Sequence, residues 1–128
     1  MVNETEMMGL VGEFVDALAQ RLQLRRREPI ILRRYQDEKN YCAVFDETAS
    51  PSSFYDATVL HASLTDGKIY LRGENNAAPV EGAFLSYDFS QAGDVRGMFG
   101  QLAIGFSNMT GVSVEGASLV KDMPSLAI

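Results

Sequence analysis

The chain has 128 residues, 46% of them hydrophobic and 22% charged, and its formal net charge is −6. This length and composition fit one globular domain with a single core. The acidic balance argues against direct nucleic-acid binding, which needs basic side chains to displace counterions from phosphates. The sequence also lacks a run of about 18 apolar residues, which a membrane-spanning helix would need. The single cysteine, Cys42, and an N-terminus with acids where a secretory leader carries basic residues predict a cytoplasmic protein without disulfides.

The first predicted element is an amphipathic helix over residues 4–24. Asn3 and Glu6 have the spacing of a helix-capping pair, and Pro29 ends any helix before it. The opposite face is polar, so the helix is expected to pack on one side only. The apolar residues recur at helical spacing, and they are Met7, Leu10, Val11, Phe14, Val15, Leu18 and Leu22.

Four strands that form two hairpins are predicted next. Polar, turn-forming segments separate runs rich in apolar and β-branched residues, which is typical of antiparallel hairpins. The dipeptide Asp66-Gly67 lies between the last two runs and is the strongest short-range signal for a tight hairpin. The four runs are at about 30–35, 41–45, 54–64 and 68–72.

The last of these strands offers a candidate binding surface. Side chains alternate between the two faces of a strand, so Lys68, Tyr70 and Arg72 are predicted to lie together, opposite Ile69 and Leu71. Tyrosine and arginine are common interface anchors. The three residues are therefore candidate binding residues, and a plain solvated face is the alternative.

The remainder of the chain gives weaker signals. Pro79 is a residue type that opens helices, which predicts a short helix to about Tyr87. Further along, we predict a loop at 90–97, strands at 101–106 and 112–120, and a flexible tail at 121–128. Together the elements predict one α+β domain over residues 1–120, with the N-terminal helix packed on a mostly antiparallel sheet of about five or six strands.

Basic charge is concentrated at the end of the predicted helix. Six of the 11 basic residues are arginines between Arg21 and Arg34, with one acid among them. This asymmetry favours oriented encounter with a charged partner, which makes Arg25, Arg26 and Arg27 candidate binding residues. The alternative is a solvated helix end, because arginine near a helix C-terminus also suits the helix dipole.

Few side chains indicate catalysis. His61 is the only histidine and lies in a predicted strand, so it is a candidate functional residue, with Cys42 as the nucleophile it would activate. A structural histidine and an inert buried thiol are the alternatives. One histidine does not make a zinc site, and no phosphate-binding or nucleophile-elbow motif occurs. No catalytic residue, metal or cofactor is predicted, and the protein is expected not to be an enzyme.

The segment from His61 to Leu71, His-Ala-Ser-Leu-Thr-Asp-Gly-Lys-Ile-Tyr-Leu, resembles the signature hairpin of the XisI-like family, small proteins associated with control of excision of a DNA element in cyanobacteria. Tyr41 resembles the aromatic of the family's preceding strand, and residues 102–106 are similar to its apolar strand ending in Gly-Phe. The family's Gly-Trp after the second strand and its Asp-Gly-Thr-Glu-Glu segment after the hairpin are missing. The resemblance implies an α+β fold, a non-catalytic control role and a nuclease-like protein partner.

A non-catalytic binding or control protein that acts through a protein partner is the function these observations favour. Two alternatives stay open. One is a small secretion-chaperone-like dimer that binds an unfolded segment, and the other is a small hydrolase that uses His61. A homodimer is a further expectation, because the edges of the predicted sheet must be covered, charged or paired.

Overall fold

An antiparallel sheet organises the chain, in a computed structural model that describes residues 3–26, 31–46, 57–73, 85–89 and 94–126. Each strand pairs with the next along the sequence, which confirms the predicted α+β class. The five strands are β1 (Ile31–Gln36), β2 (Asn40–Asp46), β3 (Ala57–Ser63), β4 (Lys68–Gly73) and β5 (Leu85–Asp88). The helices are α1 (Glu4–Arg26), α2 (Val95–Thr110) and α3 (Gly116–Leu119), and a 3-10 turn follows at Val120–Asp122.

The helix α1 begins and packs as its sequence predicts. The side-chain oxygen of Asn3 accepts a hydrogen bond from the backbone N–H of Glu6 at 2.8 Å, and the Asn3 amide donates to the Glu6 carboxylate at 2.9 Å. The first of these bonds satisfies a backbone group that the first turn leaves open. The helix α1 has 23 residues. Neither it nor any other helix in the described ranges is both long and apolar enough to cross a membrane.

Two tight turns hold the register of the sheet. In the β1–β2 turn, the carboxylate of Asp37 accepts hydrogen bonds from the backbone N–H groups of Lys39 and Asn40, both at 2.8 Å. In the β3–β4 turn, Gly67 has a φ of 64°, in the left-handed region that residues with a Cβ avoid. The Asp-Gly dipeptide therefore forms the hairpin that it predicts.

The helices α1 and α2 share one face of the sheet and enclose the main core. Phe14 of α1 packs against Phe99 of α2 with ring centroids 4.9 Å apart, and Phe106 of α2 meets Phe45 of β2 edge-on at 4.9 Å. Such aromatic pairs contribute about 0.5–1.5 kcal/mol beyond the area they bury. These two pairs join both helices and the sheet into one packed unit.

The helix α2 is the main departure from the predicted elements, since the sequence predicts a loop at 90–97 and a strand at 101–106. Asp94 caps the helix by accepting a hydrogen bond from the Gly97 N–H at 2.9 Å, and Gly111 ends it at a φ of 72°. Glycines within the helix cost about 1 kcal/mol each relative to alanine, and burial of one apolar face offsets that cost. The buried apolar residues keep helical spacing, at Met98, Phe99, Leu102, Ala103, Phe106 and Met109.

Three other predicted elements also differ from the structure. The last residues of the helix predicted from Pro79 to Tyr87 lie in β5, and its first part lies outside the described residues. The strand predicted at 112–120 is an irregular segment followed by α3. The predicted flexible tail packs on the domain as far as residue 126, because Met123 is fully buried and the Ser125 N–H donates to the Glu13 carboxylate at 2.8 Å.

The core packing gives a first prediction for stability. Phe14→Ala should lower the free energy of unfolding by about 3–5 kcal/mol, because it removes a fully buried ring and leaves a cavity. Leu24→Ala in the same helix is the matched control, since Leu24 is 66% exposed and should change stability by less than about 0.5 kcal/mol. Urea denaturation of both variants measures the difference, and equal losses would contradict the assignment of the core.

Candidate functional site

The face of the sheet opposite the helices carries one row of side chains that crosses all five strands. The strand register pairs Tyr35 with Cys42, Cys42 with His61, His61 with Tyr70, and Tyr70 with Ser86. Residues in direct register on neighbouring strands lie on the same face. The candidate histidine and the candidate thiol, 19 positions apart in the sequence, are therefore cross-strand neighbours.

Both ring nitrogens of His61 are engaged within the protein. Its Nδ1 lies 2.6 Å from the Tyr70 hydroxyl and its Nε2 lies 2.9 Å from Oδ1 of Asn40. The Asn40 amide nitrogen donates to the Asp37 carboxylate at 3.1 Å, so Oδ1 of Asn40 must be the acceptor toward His61. The imidazole therefore carries its proton on Nε2 and accepts a hydrogen bond from Tyr70 on Nδ1.

The surroundings of His61 favour the neutral form of its imidazole. Burial lowers the pKa of His61, and the positive charge of Arg72 lowers it further. Burial also raises the pKa of Tyr70, so its hydroxyl keeps the proton that it donates. Asp37, at the far end of this chain of hydrogen bonds, has its pKa lowered by hydrogen bonds from the backbone N–H of Lys39 and the side chain of Asn40.

This arrangement places a thiol beside an imidazole whose two nitrogens are already hydrogen-bonded within the chain. A general base must have a nitrogen within reach of the proton that it removes, and both nitrogens of His61 already serve Tyr70 and Asn40. The Asp37 carboxylate reaches the imidazole only through Asn40. Cys42 and His61 line an open depression of about 580 Å³ rather than an enclosed cavity.

The candidate binding row on β4 is brought to one face as predicted, but it is not an exposed row. Tyr70 is only 1% exposed, and its ring lies against His61 with centroids 4.8 Å apart. Lys68 is half-buried and pairs with Asp88 at 3.6 Å. Arg72 donates to the Gly73 carbonyl at 3.1 Å. Tyr70 is therefore a packed residue of the sheet and not an interface anchor.

The arginines at the end of α1 are used inside the fold. Arg25 forms an ion pair with Glu115, and Arg21 bonds to Glu115 at 2.5 Å and to Asp122 at 2.8 Å. These bonds hold the segment around α3 against the end of α1. The side chain of Arg26 and the whole of Arg27 lie outside the described residues.

The most exposed surface of the sheet is one that the sequence analysis did not single out. β1 is an edge strand, with β2 on one side and no strand of the described residues on the other. Ile31 and Tyr35 are 56% and 55% exposed and lie on the same face of β1. The order of the predicted strands indicates this edge, because the first strand in a series of hairpins has only one sequential neighbour to pair with.

Arg34 joins β1 to α1 by one polar contact and to β2 by another. Arg34 points to the helix face of the sheet, where it bonds to Asp16 of α1 at 2.5 Å and to the Tyr41 hydroxyl at 3.2 Å. The exposed strand is thus attached to the helix layer on one face while Ile31 and Tyr35 remain open on the other.

The comparisons with known proteins do not assign a function to this arrangement. No protein-family model, no curated protein and no solved structure matches the chain. Within the described ranges, no three His, Cys, Asp or Glu side chains are grouped so that they could hold a metal ion.

The bond between Tyr70 and His61 gives a second prediction. Tyr70→Phe removes the hydroxyl and leaves Nδ1 of a half-buried imidazole without its donor, which should cost about 1–3 kcal/mol of unfolding free energy. Tyr35→Phe is the control on the same row, and the exposed position should change stability by less than about 0.5 kcal/mol. Chemical denaturation at neutral pH distinguishes the two, and a Tyr70→Phe variant as stable as wild type would refute the bond.

A third prediction concerns pH. Because the pKa of His61 is lower in the folded chain than in the unfolded chain, protonation favours unfolding, and stability is lost as the pH falls below the ordinary histidine value. The melting temperature should therefore drop between about pH 7.5 and about pH 5.5. In His61→Gln the drop should be smaller over the same interval. Equal drops in both proteins would show that His61 is not the titrating group.

Proposed function

We propose that this protein is a non-catalytic binding protein that holds another protein against the β1 side of its sheet. The observation that carries the proposal is the exposure of Ile31 and Tyr35 on an edge strand. These two side chains lie on one face of the strand, on either side of Arg33, and isoleucine, tyrosine and arginine supply the apolar and aromatic contacts that protein interfaces use.

The state of the only histidine supports a function without catalysis. Tyr70 and Asn40 occupy both imidazole nitrogens, and burial holds the ring in its neutral form. A buried polar network of this kind rigidifies a sheet. The depression beside it is open, whereas catalytic groups work best where water is excluded.

The charge distribution supports a protein partner rather than nucleic acid. The net charge is −6, and three of the arginines that form the basic segment, Arg21, Arg25 and Arg34, pair with acids of the same chain. Neutralised arginines release fewer counterions from a phosphate backbone. Arginine and tyrosine on a partly apolar strand instead match the composition of protein–protein interfaces.

The resemblance to the XisI-like family would make the partner a nuclease-like protein. The hairpin that carries most of the resemblance forms β3 and β4, whereas residues 102–106, which resemble a strand of that family, are part of α2. The proposal for β1 does not depend on this kinship.

Two alternative functions each have one supporting observation. Cys42 lies in register with His61, which is the pair that a small hydrolase would use. An open edge strand on a small acidic α+β chain would also suit a secretion-chaperone-like protein, which would be a dimer. A monomer in light scattering removes the chaperone-like candidate.

A binding experiment with matched variants tests the proposal. The wild-type chain and the double variant Ile31→Ser/Tyr35→Ser are immobilised and exposed to lysate of the source cells, and bound proteins are quantified by mass spectrometry. At least one protein should be retained by wild type and reduced about tenfold or more on the double variant, because interface anchors carry most of the binding energy.

The controls are Ile104→Ser and His61→Gln. Ile104 is 47% exposed on α2, so its replacement removes a comparable apolar side chain away from β1 and should leave retention unchanged. His61→Gln should also leave retention unchanged, whereas a hydrolase would lose turnover. Equal retention of every protein by wild type and by the double variant would refute the β1 interface.

A further inference from the structure

We propose that the outer edge of β1 binds an extended segment of the partner protein as an added strand, with an acidic residue opposite Arg33 and apolar residues opposite Ile31 and Tyr35. This inference rests on the proposed function and names how the partner is recognised. It assigns the partner segment a pattern in which one acid is flanked at two-residue spacing by apolar residues.

The backbone of β1 is suited to strand addition. The strand has six residues and contains no proline, and among the described residues only β2 pairs with it. Native sheets protect such edges with proline, bulges, short strands or charged side chains, because unpaired N–H and C=O groups invite another strand. Of these, β1 has the charges of Arg33 and Arg34, which favour an added strand that carries an acid. Main-chain hydrogen bonds at an edge of this kind are the usual source of affinity in strand addition.

The side chains of β1 define what the added strand must carry. Ile31, Arg33 and Tyr35 alternate onto the face opposite α1, with Arg33 half-buried between two residues that are more than half exposed. Arg33 also interacts within the chain, and an acid on the added strand would be a further partner for a guanidinium that has five N–H donors. Opposite-charge and apolar cross-strand pairs are favourable and like-charge pairs are not.

The same charges argue against a second copy of the chain as the occupant. Two β1 strands that overlap almost fully about a two-fold axis set either Arg33 against Arg33 or Arg34 against Arg34 of the other copy, because residues in direct register must share a face. Like charges directly opposite each other destabilise a strand pair, and a two-fold dimer repeats the contact in both directions. A partner segment with an acid at that position has no such conflict.

The attachment of β1 to α1 prepares the edge for binding. Arg34 bonds to Asp16 and to Tyr41 on the helix side, and the Asp37 carboxylate orders the turn that follows. Because the strand is already ordered, less conformational entropy is lost when a partner pairs with it.

Three blocked peptides test the inference on the full chain labelled with 15N. The first is Thr-Val-Thr-Glu-Thr-Val-Thr, the second has Lys in place of Glu, and the third has Pro in place of the two Thr that flank Glu. The first peptide should shift the backbone amide signals of residues 31–36 and should bind about five- to tenfold more tightly than the second. The third should not bind, because proline cannot donate the hydrogen bonds of a ladder.

Two variants assign the preference to Arg33. Arg33→Glu should reverse the order of the first two peptides, and Arg33→Gln, a milder change if the charge reversal impairs folding, should make them bind equally. Binding of the proline peptide as tightly as the first, or no shift in residues 31–36 with any peptide, would overturn the inference. A dimer that Tyr35→Ser dissociates would also overturn it, because the edge would then hold a second copy.

The outcomes of the two experiments can be told apart. If Ile31→Ser/Tyr35→Ser loses a retained protein but no peptide binds, the β1 interface stands and strand addition is wrong. If the double variant retains every protein that wild type retains, the proposed function itself fails.

Discussion

The antiparallel register of the five strands is the constraint on which the surroundings of His61 and the exposed face of β1 both depend. Side chains alternate along a strand, so a shift of one residue would exchange the two faces of the sheet. Ala43, Phe45 and Leu60 must face the helices to complete the core. Their neighbours Cys42 and His61 are thereby forced onto the other face, where they meet Tyr70.

The polar chain on that face links a turn to the middle of the sheet. Asp37 orders the β1–β2 turn and accepts a hydrogen bond from Asn40, Asn40 orients His61, and His61 accepts a hydrogen bond from the Tyr70 hydroxyl. A half-satisfied polar network would be costly at this depth, whereas a satisfied one specifies a single arrangement. The network therefore explains why polar side chains lie in the centre of a sheet without requiring that they perform chemistry.

Arginines of the basic segment form ion pairs with acids of the same chain. Arg21 and Arg25 at the end of α1 bind acids near α3, and Arg34 of β1 binds Asp16 of α1. Partly exposed pairs of this kind each contribute at most about 1 kcal/mol, but they connect the last part of the chain and the edge strand to the same helix. On the opposite face of β1, Arg33 lies between the exposed side chains of Ile31 and Tyr35.

Local sequence patterns predict those helices and hairpins that are specified by residues a few positions apart. The helix α1 follows from its capping pair and apolar period, and the β3–β4 hairpin follows from Asp66-Gly67, because each depends on residues a few positions apart. The helix α2 was missed because its glycines weaken the local preference, and only burial against Phe14 and Phe45 makes the helix favourable.

The sequence by itself determined the α+β class, the β1–β2 and β3–β4 hairpins and the shared face of Lys68, Tyr70 and Arg72. Tertiary structure alone decided that Tyr70 is buried, that both nitrogens of His61 are hydrogen-bonded to Tyr70 and Asn40, and that Ile31 and Tyr35 of β1 stay exposed. The physical reason is that burial and cross-strand contact are set by residues distant in sequence, and no local pattern encodes which side chains will meet.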